Sequence, residues 1–363
     1  AGNWIERGTG LPLSNRYCQG RRAVCGVFVP AHGGIVVHTE CRLNRAVPVV
    51  LCLALLIATA GCSSTSGGQA AAANGRLQGT ITISGAWALY PLMVRWGEEF
   101  QKLHPEVQFD IAAGGAGKGM ADALADAVDI GMVSREIYAE EVAKGAFWVS
   151  VTKDAVFPTV SENNPVWEDL RQKGINRETF IAIYITGATA TWGQVVGQPE
   201  VSEPIHVFTR SDACGAAATW AEYLGMRQED LLGIGVYGDP GLLDAVIKDA
   251  AGIGFNNLNY VFDMETGEPL AGVRVVPVDV DGNGQADADE IYDNKTQAVE
   301  GVASGRYPSP PARDLNLVTR GKPEGLVRTF LLWILTEGQS YLDEVGYVAL
   351  PQERLSEQRQ KLE

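Results

Sequence analysis

Histidine is scarce in this chain: there are four in 363 residues, at His32, His38, His104 and His206. With so few imidazoles, and no cluster of His and Cys, a transition-metal centre is not expected. Positive charge is also in short supply, with 29 Lys and Arg against 44 Asp and Glu and a net charge of −15. A general nucleic-acid binder needs a basic face for the phosphate backbone, so that class is set aside and no nucleic-acid partner is expected. Any anion bound here must be held locally, against the overall field. The apolar run at residues 46–58 is too short for a comfortable transmembrane helix. No internal repeat stands out, and the length allows roughly two domains.

That apolar run is preceded by Arg42 and Arg45 and followed by Thr59-Ala60-Gly61-Cys62-Ser63-Ser64, the layout of a signal-peptide core and its cleavage point. Small residues leading into a single cysteine resemble a bacterial lipoprotein lipobox. Residues 46–62 are therefore the expected signal peptide, and Cys62 the lipid anchor that would hold the protein on the extracytoplasmic face of a bacterial membrane. Residues 63–78, rich in Ser, Thr, Gly, Gln and Ala as far as Asn74, fit a flexible tether. Residues 1–45 match no part of an export signal and begin with Ala1; they are expected to be unstructured or an overextended frame, with Val36 or Val37 as the start. Cys18, Cys25, Cys41 and Cys52 precede the cleavage point, so Cys214 alone remains free and no internal disulfide is expected.

From Gly79 onward strands and helices alternate. Thr80–Ser84, Val107–Ile111 and Val128–Val133 have strand character, and residues 89–103 carry Leu92, Trp96 and Phe100 at helical spacing. A Gly-rich turn, residues 114–119, leads into a helix expected over Met120–Ala127; it matches neither a Walker A loop nor G-x-G-x-x-G. Strand, Gly-rich turn, helix and strand in this order predict an α/β fold on a mostly parallel sheet, with ligand groups at strand C-termini. Later segments continue the pattern: strands at Phe147–Val160, Ile205–Phe208, Gly252–Phe255, Val273–Val280 and Leu315–Val318, and helices at Arg177–Ile185, Asp239–Lys248, Leu326–Thr336 and Gln339–Val345. The charged tail 353–363 is expected to be a solvated helix.

The most informative stretch is Thr209 to Trp220, Thr-Arg-Ser-Asp-Ala-Cys-Gly-Ala-Ala-Ala-Thr-Trp. A strand ending in Arg210 and Asp212, followed by a helix opening at Cys214-Gly215-Ala216, builds a small anion site. Backbone N–H groups and the positive end of the helix dipole would face a bound oxyanion. Arg210 would offer a fork of donors, and Asp212 would orient it or accept a proton carried by the anion. A thiol at that helix end beside Arg210 should be more acidic than usual, which raises a nucleophile reading for Cys214. His206 is the one histidine near it in sequence and makes a poor base at a strand position, so no enzyme is expected.

With these pieces placed, the chain resembles the phosphate-binding proteins of bacterial phosphate ABC importers, within the type II periplasmic binding protein superfamily. The resemblance runs from about Gly79 to about Pro351. The family's S-G-S-S-T-x-x-P-L stands here as Ser84-Gly85-Ala86-Trp87-Ala88-Leu89-Tyr90-Pro91-Leu92, and its G-S-G-x-G turn as Gly115-Ala116-Gly117-Lys118-Gly119. D-I-x-x-x-S-R is intact at Asp129 to Arg135, and R-x-D-x-S-G-T appears as Arg210-Ser211-Asp212-Ala213-Cys214-Gly215-Ala216. The resemblance implies two α/β lobes, about 79–157 plus the C-terminal segment and about 158–308, within a solute-binding domain 79–352. They would close by a hinge on an interlobe oxyanion, most simply inorganic phosphate, for delivery to an ABC transporter permease. It assigns the anion to Ala88, Leu89, Ala116, Ser134, Arg135, Arg210, Asp212, Cys214, Gly215 and Ala216, with Lys118 as an added cation. Hydroxyls are missing at Ala88, Ala116, Cys214 and Ala216. Each lost hydrogen bond to a charged group costs about 1.5–3 kcal/mol, so a larger oxyanion or an organic acid, with Trp87 at the edge, is the alternative ligand. A monomer is expected, and a surface sensor or adaptor on the same fold is the alternative function.

One motif stands apart. Asp279-Val280-Asp281-Gly282-Asn283-Gly284-Gln285-Ala286-Asp287-Ala288-Asp289-Glu290 matches the twelve-residue calcium loop D-x-D-x-N-G-x5-E. Oxygen ligands would come from Asp279, Asp281, Asn283, the Gln285 carbonyl, Asp287 through water and Glu290. No cofactor is required by the fold, and a structural Ca²⁺ is the one ion the sequence suggests.

Overall fold

The computed structural model describes residues 76–363. The expected signal peptide, Cys62 and most of the tether lie outside the described residues. The strands are β1 (Gly79–Gly85), β2 (Val107–Ala113), β3 (Ile130–Val133), β4 (Ala146–Ser161), β5 (Ile175–Asn176), β6 (His206–Arg210), β7 (Ile234–Val236), β8 (Gly252–Asn257), β9 (Val273–Val275), β10 (Val278–Asp279) and β11 (Ala312–Arg320). Their order in a nine-stranded sheet is β2-β1-β3-β11-β4-β8-β6-β7, with β9 also on β4; β5 and β10 pair separately.

Two α/β lobes share this sheet. In one, β1 lies parallel between β2 and β3, and in the other β6 lies parallel between β7 and β8. Between them run β4 and β11, antiparallel to each other. β4 is covered on both faces, so Val149, Val151, Ala155, Val156, Phe157 and Val160 are all buried and the strand is almost continuously apolar. It pairs with β11 through Ala155 and with β8 from Val156, which makes that step the crossing between the lobes.

Each lobe has its own core. One gathers Ile81, Ile83, Trp96, Phe100, Leu315, Phe330 and Leu331; the other gathers Phe157, Phe180, Tyr184, Trp192, Trp220, Phe255 and Phe262. Buried side chains of this size stabilise a fold by roughly 1.5–3 kcal/mol each. Burial strands indole N–H groups from water, and two of them find carbonyl partners: Trp96 Nε1 donates to Gly338 O at 2.7 Å, and Trp192 Nε1 to Ala251 O at 3.0 Å, while Trp220 Nε1 has none.

Four expectations need correction. The helix after the Gly-rich turn spans Ala116–Leu124, because Gly115 at φ +90° turns the chain directly into it. The strand over 273–280 is interrupted at Val276 and Pro277, since proline removes a ladder donor. The charged tail forms a helix, Gln352–Leu362, but it is not simply solvated. Leu355, Gln358 and Leu362 are buried, and Ser150 N donates to Gln358 Oε1 at 3.1 Å. Residues 339–345 also differ: a 3-10 segment over Glu337–Tyr341 followed by turns replaces the expected helix. No described helix is long and apolar enough to cross a membrane.

Candidate functional site

β6 ends in Arg210, and the helix Gly215–Tyr223 begins five residues later with Cys214 as its N-cap. The Arg210 side chain has no exposed surface. Its Nε and Nη2 donate to Asp212 Oδ1 and Oδ2 at 2.8 and 2.7 Å, and Nη1 donates to Asp239 Oδ2 at 2.7 Å. A guanidinium has five N–H donors, so two remain for a ligand. Burial alone would lower the Arg210 pKa, but Asp239 and then Asp212 outweigh it and hold the group above the usual arginine range. Burial pushes the Asp239 carboxyl up, against the pull of Arg210.

This charged group lies against the other lobe. Gly117 N donates to Ala213 O at 3.0 Å across the seam. A Cβ on Gly115 would stand 2.7 Å from Ala213 O and 3.0 Å from Asp212 Oδ2, and one on Gly215 would meet Ser134 O and Oγ at 2.1 Å. Glycine is therefore required where the two backbones approach most closely. Gly238, at φ +75°, donates its N–H to Asp212 Oδ1 at 3.2 Å and backs onto Trp87, whose Cζ2 would lie 3.2 Å from a Cβ there. Trp87 also packs edge-on against Tyr237, with ring centroids 6.1 Å apart. Two cavities, of about 440 and 530 Å³, open along the same seam. Arg135, Glu136 and Glu222 line both; Arg210 lines neither.

The structure thus sets Gly215 against Ser134, and Gly115, the residue before Ala116, against Asp212 and Ala213, with Asp212 paired to Arg210; Cys214, Ala88 and Ala216 are buried in their own lobes. Other residues expected at the anion have different partners. Leu89 N donates to Ala86 O at 3.1 Å, closing its own 3-10 turn. Arg135 forks onto Glu141 at 2.7 and 3.0 Å and lies over the Tyr138 ring. Lys118 is half-exposed and pairs with Asp122, one turn along its own helix. The acidic-thiol expectation for Cys214 fails: burial pushes the thiol up to about 12, and this outweighs Arg210. Its Sγ is used as a cap, accepting from Ala217 N at 3.4 Å.

Sequence reasoning missed Asp239, Asn257, Arg313 and Asp154. Asn257 Nδ2 donates to Asp239 Oδ1 at 2.6 Å, and Arg313 Nη2 donates to Asn257 Oδ1 at 2.5 Å and to Asp154 Oδ2 at 3.4 Å. Burial raises the Asp154 carboxyl to about 6, even with Arg313 opposing. A signal was available for Asp154, a lone carboxylate inside the apolar run of β4.

Elsewhere in the chain, the acidic loop folds on itself. Asp279, Asp281 and Glu290 each place a carboxylate oxygen within 4.8 Å of the others. Asp279 Oδ1 accepts from Gly282 N and Asn283 N, and Oδ2 from Gly284 N at 3.0 Å, where Gly284 sits at φ +80°. Asn283 Nδ2 donates to Asp287 Oδ2 at 3.2 Å, and Gln285 N donates to Asn283 Oδ1 at 2.8 Å. Burial raises the Glu290 carboxyl.

A profile of the PBP superfamily domain matches residues 70–337. The chain belongs to the PBP superfamily. Among its relatives is the phosphate-binding protein PstS of Bacillus subtilis, 26% identical over 315 residues that cover 85% of this chain and 94% of that one. The PstS of Methanocaldococcus jannaschii is also 26% identical and covers 84% and 91%. Both are named as binding proteins and not as enzymes. A substrate-binding protein from Clostridium perfringens, solved with bound phosphate, superposes with a TM-score of 0.62 at 24% identity over 75% of this chain and all of that one. The two lobes joined by crossing strands have the type II periplasmic-binding-protein fold.

Proposed function

We propose that this superfamily member is an extracytoplasmic solute-binding protein that captures an oxyanion, foremost inorganic phosphate, and delivers it to an ABC transporter permease. The observation that carries the reading is Arg210. A guanidinium with no exposed surface lies at a lobe seam, beside a helix N-terminus, with two N–H donors beyond those its carboxylates use. The PstS relatives, matched over nearly their whole length, support phosphate as the first ligand. The site residues are Arg210 and Asp212, the N–H groups of Ala88, Ala116, Gly215 and Ala216, and the Ser134 hydroxyl. Arg135 and Lys118, paired with Glu141 and Asp122, would act only from the rim. The relatives named as binding proteins support a binding role, and burial, which raises the Cys214 thiol, weakens the nucleophile reading.

Calorimetry on the purified chain with phosphate, sulfate, molybdate and small carboxylates tests this directly. Saturable phosphate binding at micromolar or tighter affinity, lost in Arg210→Ala, is the expected result. Response to another anion in place of phosphate would mean that the buried alanines 88, 116 and 216 had reshaped the site. Silence toward all of them would favour the sensor or adaptor function.

Three further features complete the proposal. Cys62 would carry a lipid that tethers the mature protein to the membrane, and the protein would act as a monomer. The acidic loop would hold a structural Ca²⁺ through Asp279, Asp281, Asn283, the Gln285 carbonyl, Asp287 and Glu290, a donor set of hard oxygens suited to that ion. Added Ca²⁺ should raise the melting temperature of the wild type and not of Asp281→Asn/Glu290→Gln; an equal rise in both would sink the calcium site.

A further inference from the structure

Arg210 is not held by its own loop alone. From Nη1 a line of hydrogen bonds runs to Asp239, from Asp239 to Asn257, from Asn257 to Arg313 and from Arg313 to Asp154. Arg210, Asp239, Asn257, Arg313 and Asp154 are all buried, the most exposed being Arg313 at 8%. The far end of the line rests on the strands common to both lobes, where Arg313 of β11 and Asp154 of β4 are directly opposite in register. The near end is the guanidinium at the lobe seam.

We infer that Asp239, Asn257 and Arg313 are positioning residues for Arg210, fixing the anion-binding guanidinium against the strand crossing about which the lobes close. The inference rests on the oxyanion reading of the site. Asp239 cannot help an anion by its charge: a buried carboxylate 2.7 Å from Arg210 offsets part of the attraction. What it contributes is geometry. Asp212 takes two donors on one edge of the guanidinium, and Asp239 fixes the plane from another direction, so the two remaining donors have one orientation before the anion arrives. Preorganised donors bind more tightly because the ordering cost is already met in the free protein. Asp239 is itself oriented by Asn257, and Asn257 by Arg313, which anchors the line to β11 and β4.

The charge and geometry roles predict opposite results, which makes the test sharp. Phosphate affinity is measured by calorimetry on the purified chain for wild type, Asp239→Asn and Arg313→Lys. Exchange of the Arg210 Nε–H proton is followed by arginine side-chain NMR, the signal being identified by its loss in Arg210→Lys. Asp239→Asn should bind phosphate about tenfold more weakly although it deletes a negative charge, the scale of one hydrogen bond to a charged group. Arg313→Lys keeps its charge and should weaken binding several-fold. In both, Arg210 Nε–H should exchange faster while melting remains cooperative. Tighter or unchanged binding by Asp239→Asn, or wild-type affinity and exchange in Arg313→Lys, would overturn the inference. Should Asp239→Asn fail to fold, Arg313→Lys and Asn257→Ser decide alone on the same two readouts. Phosphate silence in the wild type would remove the oxyanion reading. The exchange measurement would then still decide: protection lost in the variants keeps the positioning line, and protection kept overturns it.

Discussion

The two lobes bring different materials to their shared seam. The lobe of β6 to β8 supplies charge: Arg210, Asp212 and Asp239, buried and paired within hydrogen-bond distance. The lobe of β1 to β3 supplies backbone and small side chains, with Gly115, Gly117 and Ser134 set directly against Asp212, Ala213 and Gly215. One side is specified by electrostatics and the other by shape. Under the proposed function, an anion would therefore dock first on the charged lobe, and the small-residue lobe would close over it with backbone donors. Hinge closure of this kind needs surfaces that fit without large side chains between them.

The largest effect should come from breaking the charged side. Arg210→Ala leaves Asp212 and Asp239 buried with no counter-ion, and removing one partner of a buried pair costs about 3–5 kcal/mol. Denaturant unfolding should show that loss. A change below about 1 kcal/mol would mean that the two carboxylates take up protons or water without penalty. Next comes the seam. Gly215→Ala puts a methyl group 2.1 Å from Ser134 O and Oγ, yet alanine at the first turn of a helix carries no local penalty. Stability should barely change, while phosphate affinity falls by about a hundredfold, some 2.7 kcal/mol. Small-angle scattering should find the lobes still apart at saturating phosphate. Wild-type affinity in Gly215→Ala would refute backbone contact as the closing constraint.

How much of this was legible in the sequence divides along the same line. Strand–turn–helix alternation from Gly79, the Arg210–Asp212 pair and the helix at Gly215 are local patterns, and they survive in the structure with shifts of a few residues. Asp239 was hidden because Tyr237-Gly238-Asp239-Pro240 is also an ordinary helix start, and nothing local says that its carboxylate reaches β6. Asp154 and Arg313 are 159 residues apart, and their pairing exists only through strand register. Cys214 went wrong for an energetic reason: the helix end and Arg210 do favour the thiolate, but full burial disfavours it more. The C-terminal helix was misjudged on composition. Its Glu, Arg and Lys residues mask Leu355, Gln358 and Leu362, a narrow stripe at spacings of three and four that was there to be read.

A smaller change sharpens the shape side. Ala116 is fully buried at the seam, and Ala116→Ser would return a hydroxyl to the place where the resemblance puts one. If that side now binds through backbone alone, one added donor should tighten phosphate binding by up to about tenfold, the scale of a single hydrogen bond to a charged acceptor. Unchanged or weaker binding would show that the alanine makes room for a bulkier ligand, and a panel of larger oxyanions would then separate wild type from variant.

The smallest effect is expected from Cys214→Ser, the matching change on the charged side. Sγ already caps the helix, and serine is a preferred N-cap, so near pH 7 stability should shift by less than about 1 kcal/mol. The difference should grow in alkali. The buried thiol titrates at about 12 against an ordinary value of 9.0, so between those limits the folded chain keeps a proton that the unfolded chain gives up. A group whose pKa is raised on folding contributes stability below its unfolded value and loses it as pH rises. Wild type should therefore weaken relative to Cys214→Ser from about pH 9 upward, by about 1 kcal/mol at pH 10. Parallel stability curves for the two proteins across that range would mean that the thiol is solvated, and that the charged side of the seam is more open to water than its burial implies.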